Sequence, residues 1–187
     1  MKYLIIGLGN PGEKYDNSRH NIGFKVLDRL ASLSNISFST EKLADVALLK
    51  HKGRKLVLLK PNTFMNLSGK AVNYWMQKEK VSVDNILVVS DDIDLPFSTI
   101  RIRAKGSDGG HNGLRDIIEI LQSTIFPRMR FGIGSEFSEG RQSDYVLGNW
   151  SDEETDLLDE KMDVAVKMIL SFSTIGIDRT MNDFNGK

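Results

Sequence analysis

A chain of 187 residues, 40% hydrophobic and 27% charged, has the make-up of a globular domain large enough to bury a real core. Lys plus Arg and Asp plus Glu number 25 each, so any basic surface must be local and balanced by acid elsewhere. The absence of cysteine excludes disulfides, thiolate chemistry and Cys-ligated metals, and no apolar run reaches bilayer-spanning length.

In chain order, Tyr3–Leu8 is an apolar run ending in a Gly/Pro turn. With one lysine ahead of it, it predicts a first buried strand rather than a signal peptide, and a cytoplasmic protein. Helical periodicity follows over Ile22–Leu33. Val46–Lys50 and Lys55–Lys60 read as two strands of a hairpin about Lys52-Gly53. Ser68–Lys78 has a helical pattern and Ile86–Ser90 that of the most apolar strand. Thr99–Arg103 and Arg128–Ile133 alternate apolar and basic residues, the mark of strands with one wet face. Leu114–Leu121 and Asp152–Phe172 complete the helices, the last opening on a Ser151/Glu154 capping box with acids in its first turn. This alternation predicts an α/β fold: one domain with a mixed, twisted β-sheet and helices on both faces. Ligands of such sheets collect beyond the carboxyl ends of strands, where Asn10, Asn66 and Asp91 fall.

The most concentrated polar segment is Gly106–Leu114, GSDGGHNGL, with four glycines, a histidine and an asparagine ahead of a helix. Such a run either forms a permissive loop or lets backbone and helix N–H groups approach a ligand. Gly7–Gly12, GLGNPG, spells a dinucleotide-binding fingerprint, yet Pro11 removes a donor and helical periodicity waits until Ile22. His51 falls in the hairpin turn. His20 lies in the polar turn Ser18-Arg19-His20-Asn21 and becomes a base able to activate water if a carboxylate reaches it. Asp91 is the candidate partner; with Asp92 and Asp94 it would otherwise hold a hard cation or cap a turn. The amides of Asn10, Asn21, Asn66 and Asn112 suit turns, and equally an uncharged pocket for a peptide-like or ester substrate. Arg101 and Arg103 share one strand face, as do Arg128 and Arg130; with Lys105 they make a candidate basic strip for phosphate.

Taken together, GLGNPG at 7–12, SRHNIGF at 18–24, KPNTFMNLSGKAV at 60–72, DDIDLP at 91–96, GSDGGHNGL at 106–114 and DYVLGNW at 144–150 resemble bacterial peptidyl-tRNA hydrolases, in that family's order and over nearly the whole chain. The resemblance implies a monomeric enzyme that cleaves the ester between a peptide and the 3′ ribose of tRNA, recycling tRNA from stalled translation, with no metal or organic cofactor and no membrane partner. It implies His20 as general base, Asp91 as the group that stabilises its basic form, and Asn10 as the contact to the peptide. Tyr15, Phe64, Met65, Asn66 and Asn112 would line the substrate cleft, with His111 in support. Arg103 and Arg130, with Arg101, Lys105 and Arg128, would grip tRNA phosphate, and Glu136–Trp150 would form a mobile lid. Ser18, Ser90, Asp92, Ile93 and Asp108 stand where the family often has other residues; Asp108 adds an acid near the phosphate grip.

Overall fold

The computed structural model describes all residues, Met1–Lys187. Seven strands form one sheet in the order β2-β3-β4-β1-β5-β7-β6. They are β1 (Lys2–Gly7), β2 (Ser39–Glu41), β3 (Ala44–His51), β4 (Arg54–Pro61), β5 (Ile86–Asp92), β6 (Ile100–Arg103) and β7 (Arg128–Gly132). The four central strands β4, β1, β5 and β7 run parallel, and antiparallel strands flank them at both edges. β1 lies in the middle and is buried on both faces, which is why it reads as an unbroken apolar run rather than an alternating one.

Six helices cover the sheet: α1 (Ile22–Leu33), α2 (Ser68–Glu79), α3 (Asn112–Leu121), α4 (Gln142–Val146), α5 (Asp152–Ile175) and α6 (Ile177–Phe184). The period-2 alternation of the strands divides the interior in two. Ile5, Leu58, Leu87, Val89, Met129 and Phe131 point to one face, against Val26, Leu27 and Leu30 of α1 and Ala165, Ile169 and Phe172 of α5. Leu4, Ile6, Val57, Leu59 and Val88 point to the other, against Val72 and Trp75 of α2 and Leu114 and Ile117 of α3. Ser151 caps α5 through the expected reciprocal pair with Glu154.

Three elements are additional to the sequence expectation: β2, α4 and α6. The first two are only three and five residues long, too short for a periodic signal, and α6 is separated from α5 by Gly176 alone.

Gly7 and Gly9 of the 7–12 segment serve packing. A Cβ on Gly7 would lie 2.2 Å from the Gly23 carbonyl oxygen, and one on Gly23 would lie 2.4 Å from the Leu8 nitrogen. Helix α1 therefore rests almost directly on the β1 backbone. It starts only at Ile22, after two 3-10 turns, so the Gly7–Gly12 glycines do not open a helix onto a pyrophosphate.

Candidate active site

Successive connections leave β1 toward β4 on one side and reach β5 on the other, so the carboxyl ends of β1 and β5 form a crevice. His20 enters it from the 3-10 turn Arg19–Asn21 that leads into α1, and Asp91 from the last residues of β5. The Nδ1 of His20 lies 2.9 Å from each carboxylate oxygen of Asp91. His111, the N-cap of α3, reaches the same carboxylate from the third side, its Nε2 2.8 Å from Asp91 Oδ1.

The proton positions follow from these partners. His111 Nδ1 accepts from the backbone N–H groups of Gly113 and Leu114 at 3.1 and 3.3 Å, so its ring proton sits on Nε2 and points at Asp91. Asp91 is a buried carboxylate accepting from two imidazoles. Burial alone would raise its pKa, but the charges of His20 and His111 and their hydrogen bonds prevail and hold it well below the usual carboxylate range. Burial pushes His20 down in turn, and the Asp91 charge and hydrogen bond outweigh it, leaving the imidazole above its ordinary 6.5. Asp91 therefore orients His20 and makes it more basic. Although His20, Asp91 and His111 bring three metal-type donors within 4.8 Å of one another, the Nε2 of His111 carries a proton and these atoms already bond each other. Asp92 and Asp94 are turn groups: Asp92 Oδ1 accepts from the Asp94 N–H at 2.8 Å, and Asp92 Oδ2 takes the Arg130 guanidinium.

A cavity of about 310 Å³ opens over this trio, lined also by Asp92, Ile93, Asp108, Gly109, Gly110, Asn112, Gln142, Ser143 and Val146. Gly109 and Gly110 are in left-handed conformations on its wall, where the Asp108 carbonyl and carboxylate close a turn onto His111 and Gly110. The Nε2 of His20 has no protein partner.

Asn10, expected as the contact to the peptide, does not line this cavity; it lies in a separate cleft with Asn21, Phe24, Lys60 and Asn62, held by an amide lattice. Asn21 Oδ1 accepts from the Asn10 N–H and Asn21 Nδ2 donates to the Asn10 carbonyl, both at 2.9 Å. Asn10 Oδ1 then accepts from the Met65 N–H at 2.7 Å, which leaves its Nδ2 as the uncommitted group, a donor only. Met65 is buried under Gly113, where a Cβ would come within 2.7 Å of the Met65 sulfur. Phe64 and Asn66 are exposed and Tyr15 half-exposed, and none of the three lines the cavity. The sequence expectation missed Asn21 as the clamp on Asn10 and Arg19 as an anchor. Arg19 donates to the Tyr145 carbonyl at 3.2 Å, pairs with Glu154 at 3.2 Å and stacks on the Tyr145 ring. The C-terminal half of the 136–150 segment is thus tied to the turn bearing His20, while Ser138–Asp144 stay exposed.

The five residues expected in the basic strip divide by exposure. Arg101 stands opposite Arg130 and Arg103 opposite Arg128 across β6 and β7, with Lys105 exposed beyond. Arg128 is the correction. It is 2% exposed, and its guanidinium donates to the carbonyls of Phe126, Ser107 and Thr124, so it braces the loops around Gly106 and is closed to phosphate. Burial, then repulsion from Arg130, pushes its pKa down to about 10, leaving it charged at neutral pH.

A family model described as Peptidyl-tRNA hydrolase matches residues 4–187. The chain belongs to the peptidyl-tRNA hydrolase family. The peptidyl-tRNA hydrolases of Phocaeicola vulgatus and Bacteroides fragilis are 54% and 52% identical to it over 187 residues, covering all of both chains. A crystal structure of the peptidyl-tRNA hydrolase of Acinetobacter baumannii superposes with a TM-score of 0.92 at 34% identity, covering 98% of this chain and 94% of that one. A futalosine hydrolase from Helicobacter pylori, at TM-score 0.52 and 6% identity, shares the fold alone. As a peptidyl-tRNA hydrolase family member the chain is a hydrolase.

Proposed function

We propose that this protein cleaves the ester joining a peptide, or an N-blocked aminoacyl group, to the 3′ ribose of tRNA, with His20 as general base. The observation that carries this mechanism is the bond from His20 Nδ1 to Asp91, which leaves Nε2 as the free basic atom on the cavity. Water held at Nε2 loses a proton to it and attacks the ester carbonyl. The tetrahedral oxyanion then collapses, the C–O bond to the ribose breaks, and the proton on Nε2 passes to the departing 3′ oxygen. The products are a peptide acid and free tRNA, and Asp91 stays ionised throughout.

The side-chain amide of Asn112, on the cavity wall, supplies a neutral donor for the developing charge, and the uncommitted Nδ2 of Asn10, in the separate cleft, a donor for the peptide. His111 supports rather than reacts, because both of its nitrogens are already engaged. Phe64 and Asn66, which are exposed, and the half-exposed Tyr15 are given the contact to the tRNA end in this reading. Arg101, Arg103, Lys105 and Arg130 take the tRNA phosphates. Arg130 also connects the strip to the cavity through its ion pair with Asp92.

Release of labelled N-acetylamino acid from N-acetylaminoacyl-tRNA tests the proposal. Turnover that persists in EDTA and falls by about 10²-fold or more in His20→Ala supports it. No release by the wild type, or release stopped by chelator, overturns it.

A further inference from the structure

β6 is the outer strand of the sheet, so its backbone has a strand neighbour on one side only. On the open side both polar groups of Ile102 are taken by one side chain. Asn185 Oδ1 accepts from the Ile102 N–H at 3.0 Å, and Asn185 Nδ2 donates to the Ile102 carbonyl at 2.9 Å. A carboxamide offers one acceptor and a donor side by side, so Asn185 stands where a further strand would pair. The residue is firmly held itself. Its N–H donates to the Met181 carbonyl at 3.0 Å at the end of α6, and α6 is joined to α5 by the hydroxyls of Thr180 and Ser171, 2.8 Å apart. The residues on either side of Ile102 are Arg101 and Arg103, whose side chains leave the opposite face of the strand. Two residues apart, they are separated by about 6.7 Å along the strand, close to the spacing of neighbouring phosphates on a nucleic acid chain.

We propose that Asn185 is a positioning residue for tRNA binding: by clamping Ile102 from the sheet edge, it fixes the backbone from which Arg101 and Arg103 reach phosphate. This rests on the phosphate role given to the strip above. Without the clamp, the Ile102 groups turn to water and a four-residue strand with one neighbour frays. The arginines then sample many positions, and binding pays the cost of ordering them again. His20 and Asp91 sit on α1's leading turn and on β5, which β7 separates from β6, so bond cleavage is spared.

The test compares full-length wild type, Asn185→Ala, Asn185→Gln and Arg103→Ala on two substrates, N-acetylaminoacyl-tRNA and an N-acetylaminoacyl ester of adenosine. Asn185→Ala raises KM for the tRNA ester about three- to tenfold, leaves kcat within about twofold, and leaves the adenosine ester unaffected. Asn185→Gln, which keeps both amide groups, recovers most of the loss. Equal losses on both substrates, or a fall in kcat, would make the clamp merely structural and overturn the proposal. So would an unchanged KM in Asn185→Ala while Arg103→Ala raises it. An unchanged KM in Arg103→Ala removes the phosphate strip itself, and the role of Asn185 with it.

Discussion

The Nδ1 of His20 is equidistant, at 2.9 Å, from both oxygens of Asp91, while His111 occupies one of those oxygens from the other side. One buried carboxylate thus orients two imidazoles, of which only His20 retains a free nitrogen toward the cavity. In the proposed mechanism the labour is divided accordingly: His20 takes the proton, and His111 with α3 holds the carboxylate in place.

His20→Ala is expected to lower kcat by about 10²- to 10⁴-fold, the usual worth of a positioned general base, with little change in KM. The fold should survive, since Asp91 keeps His111 as a partner. Single-turnover hydrolysis and a thermal melt measure the two effects; near-normal turnover would remove His20 from the chemistry.

The pH dependence has a definite sign. His20 must be neutral to act, and its pKa is raised above 6.5, so kcat/KM falls tenfold per pH unit below an apparent value higher than 6.5. In Asp91→Asn the charge that raises it is gone and burial remains. The acid limb should therefore move to lower pH, with a plateau reduced about ten- to a hundredfold by the weaker base. An unmoved limb would dissociate the two residues.

The same carboxylate links stability to acid. Because the Asp91 pKa is depressed in the folded state, its contribution is present above the ordinary value of 3.8 and is lost as pH falls below it. Denaturant midpoints for wild type and Asp91→Asn should converge on acidification, and parallel curves would contradict the linkage.

Arg128→Met should behave as a folding variant. It strands three carbonyls that the guanidinium now satisfies, at a cost of about 3 kcal/mol in urea unfolding. Any loss of activity should be equal on tRNA and adenosine esters. Arg103→Ala should instead leave stability unchanged and lower the salt slope of tRNA binding by about 0.7 to 0.9.

Gly23→Ala places a Cβ 2.4 Å from the Leu8 nitrogen and 2.6 Å from the Val89 oxygen. Backbone on both sides cannot yield, so α1 must lift from the sheet at a cost of about 1–3 kcal/mol. The turn bearing His20 moves with it. Loss of both melting temperature and activity is expected, and unchanged activity would mean that the helix start is not what aims the base.

Local patterning was enough for the main elements. The unbroken apolar run of β1, the hairpin of β3 and β4, the alternating edge strands and the Ser151/Glu154 cap all lie where sequence periodicity puts them. The approach of Asp91 to His20 was legible as well, because Asp91 follows the apolar run of β5 and His20 sits in the polar turn ahead of α1. Arg128 was not: period-2 alternation places it on the same face as Arg130, and nothing local reveals that the loops around Ser107 and Thr124 fold over one and leave the other open.

What the sequence determined by itself was the class of fold, the family resemblance and the types of group available for chemistry, since these depend on patterns a few residues long and on ordered motifs. What only the tertiary structure decided was how those groups are committed. The tautomer of His111, the single free donor on Asn10, the burial of Arg128 and the clamp of Asn185 on Ile102 each join residues distant in the chain or depend on which backbone groups are left unpaired. Hydrogen-bond capacity is finite, so what a side chain can do depends on partners that only the folded chain brings within reach.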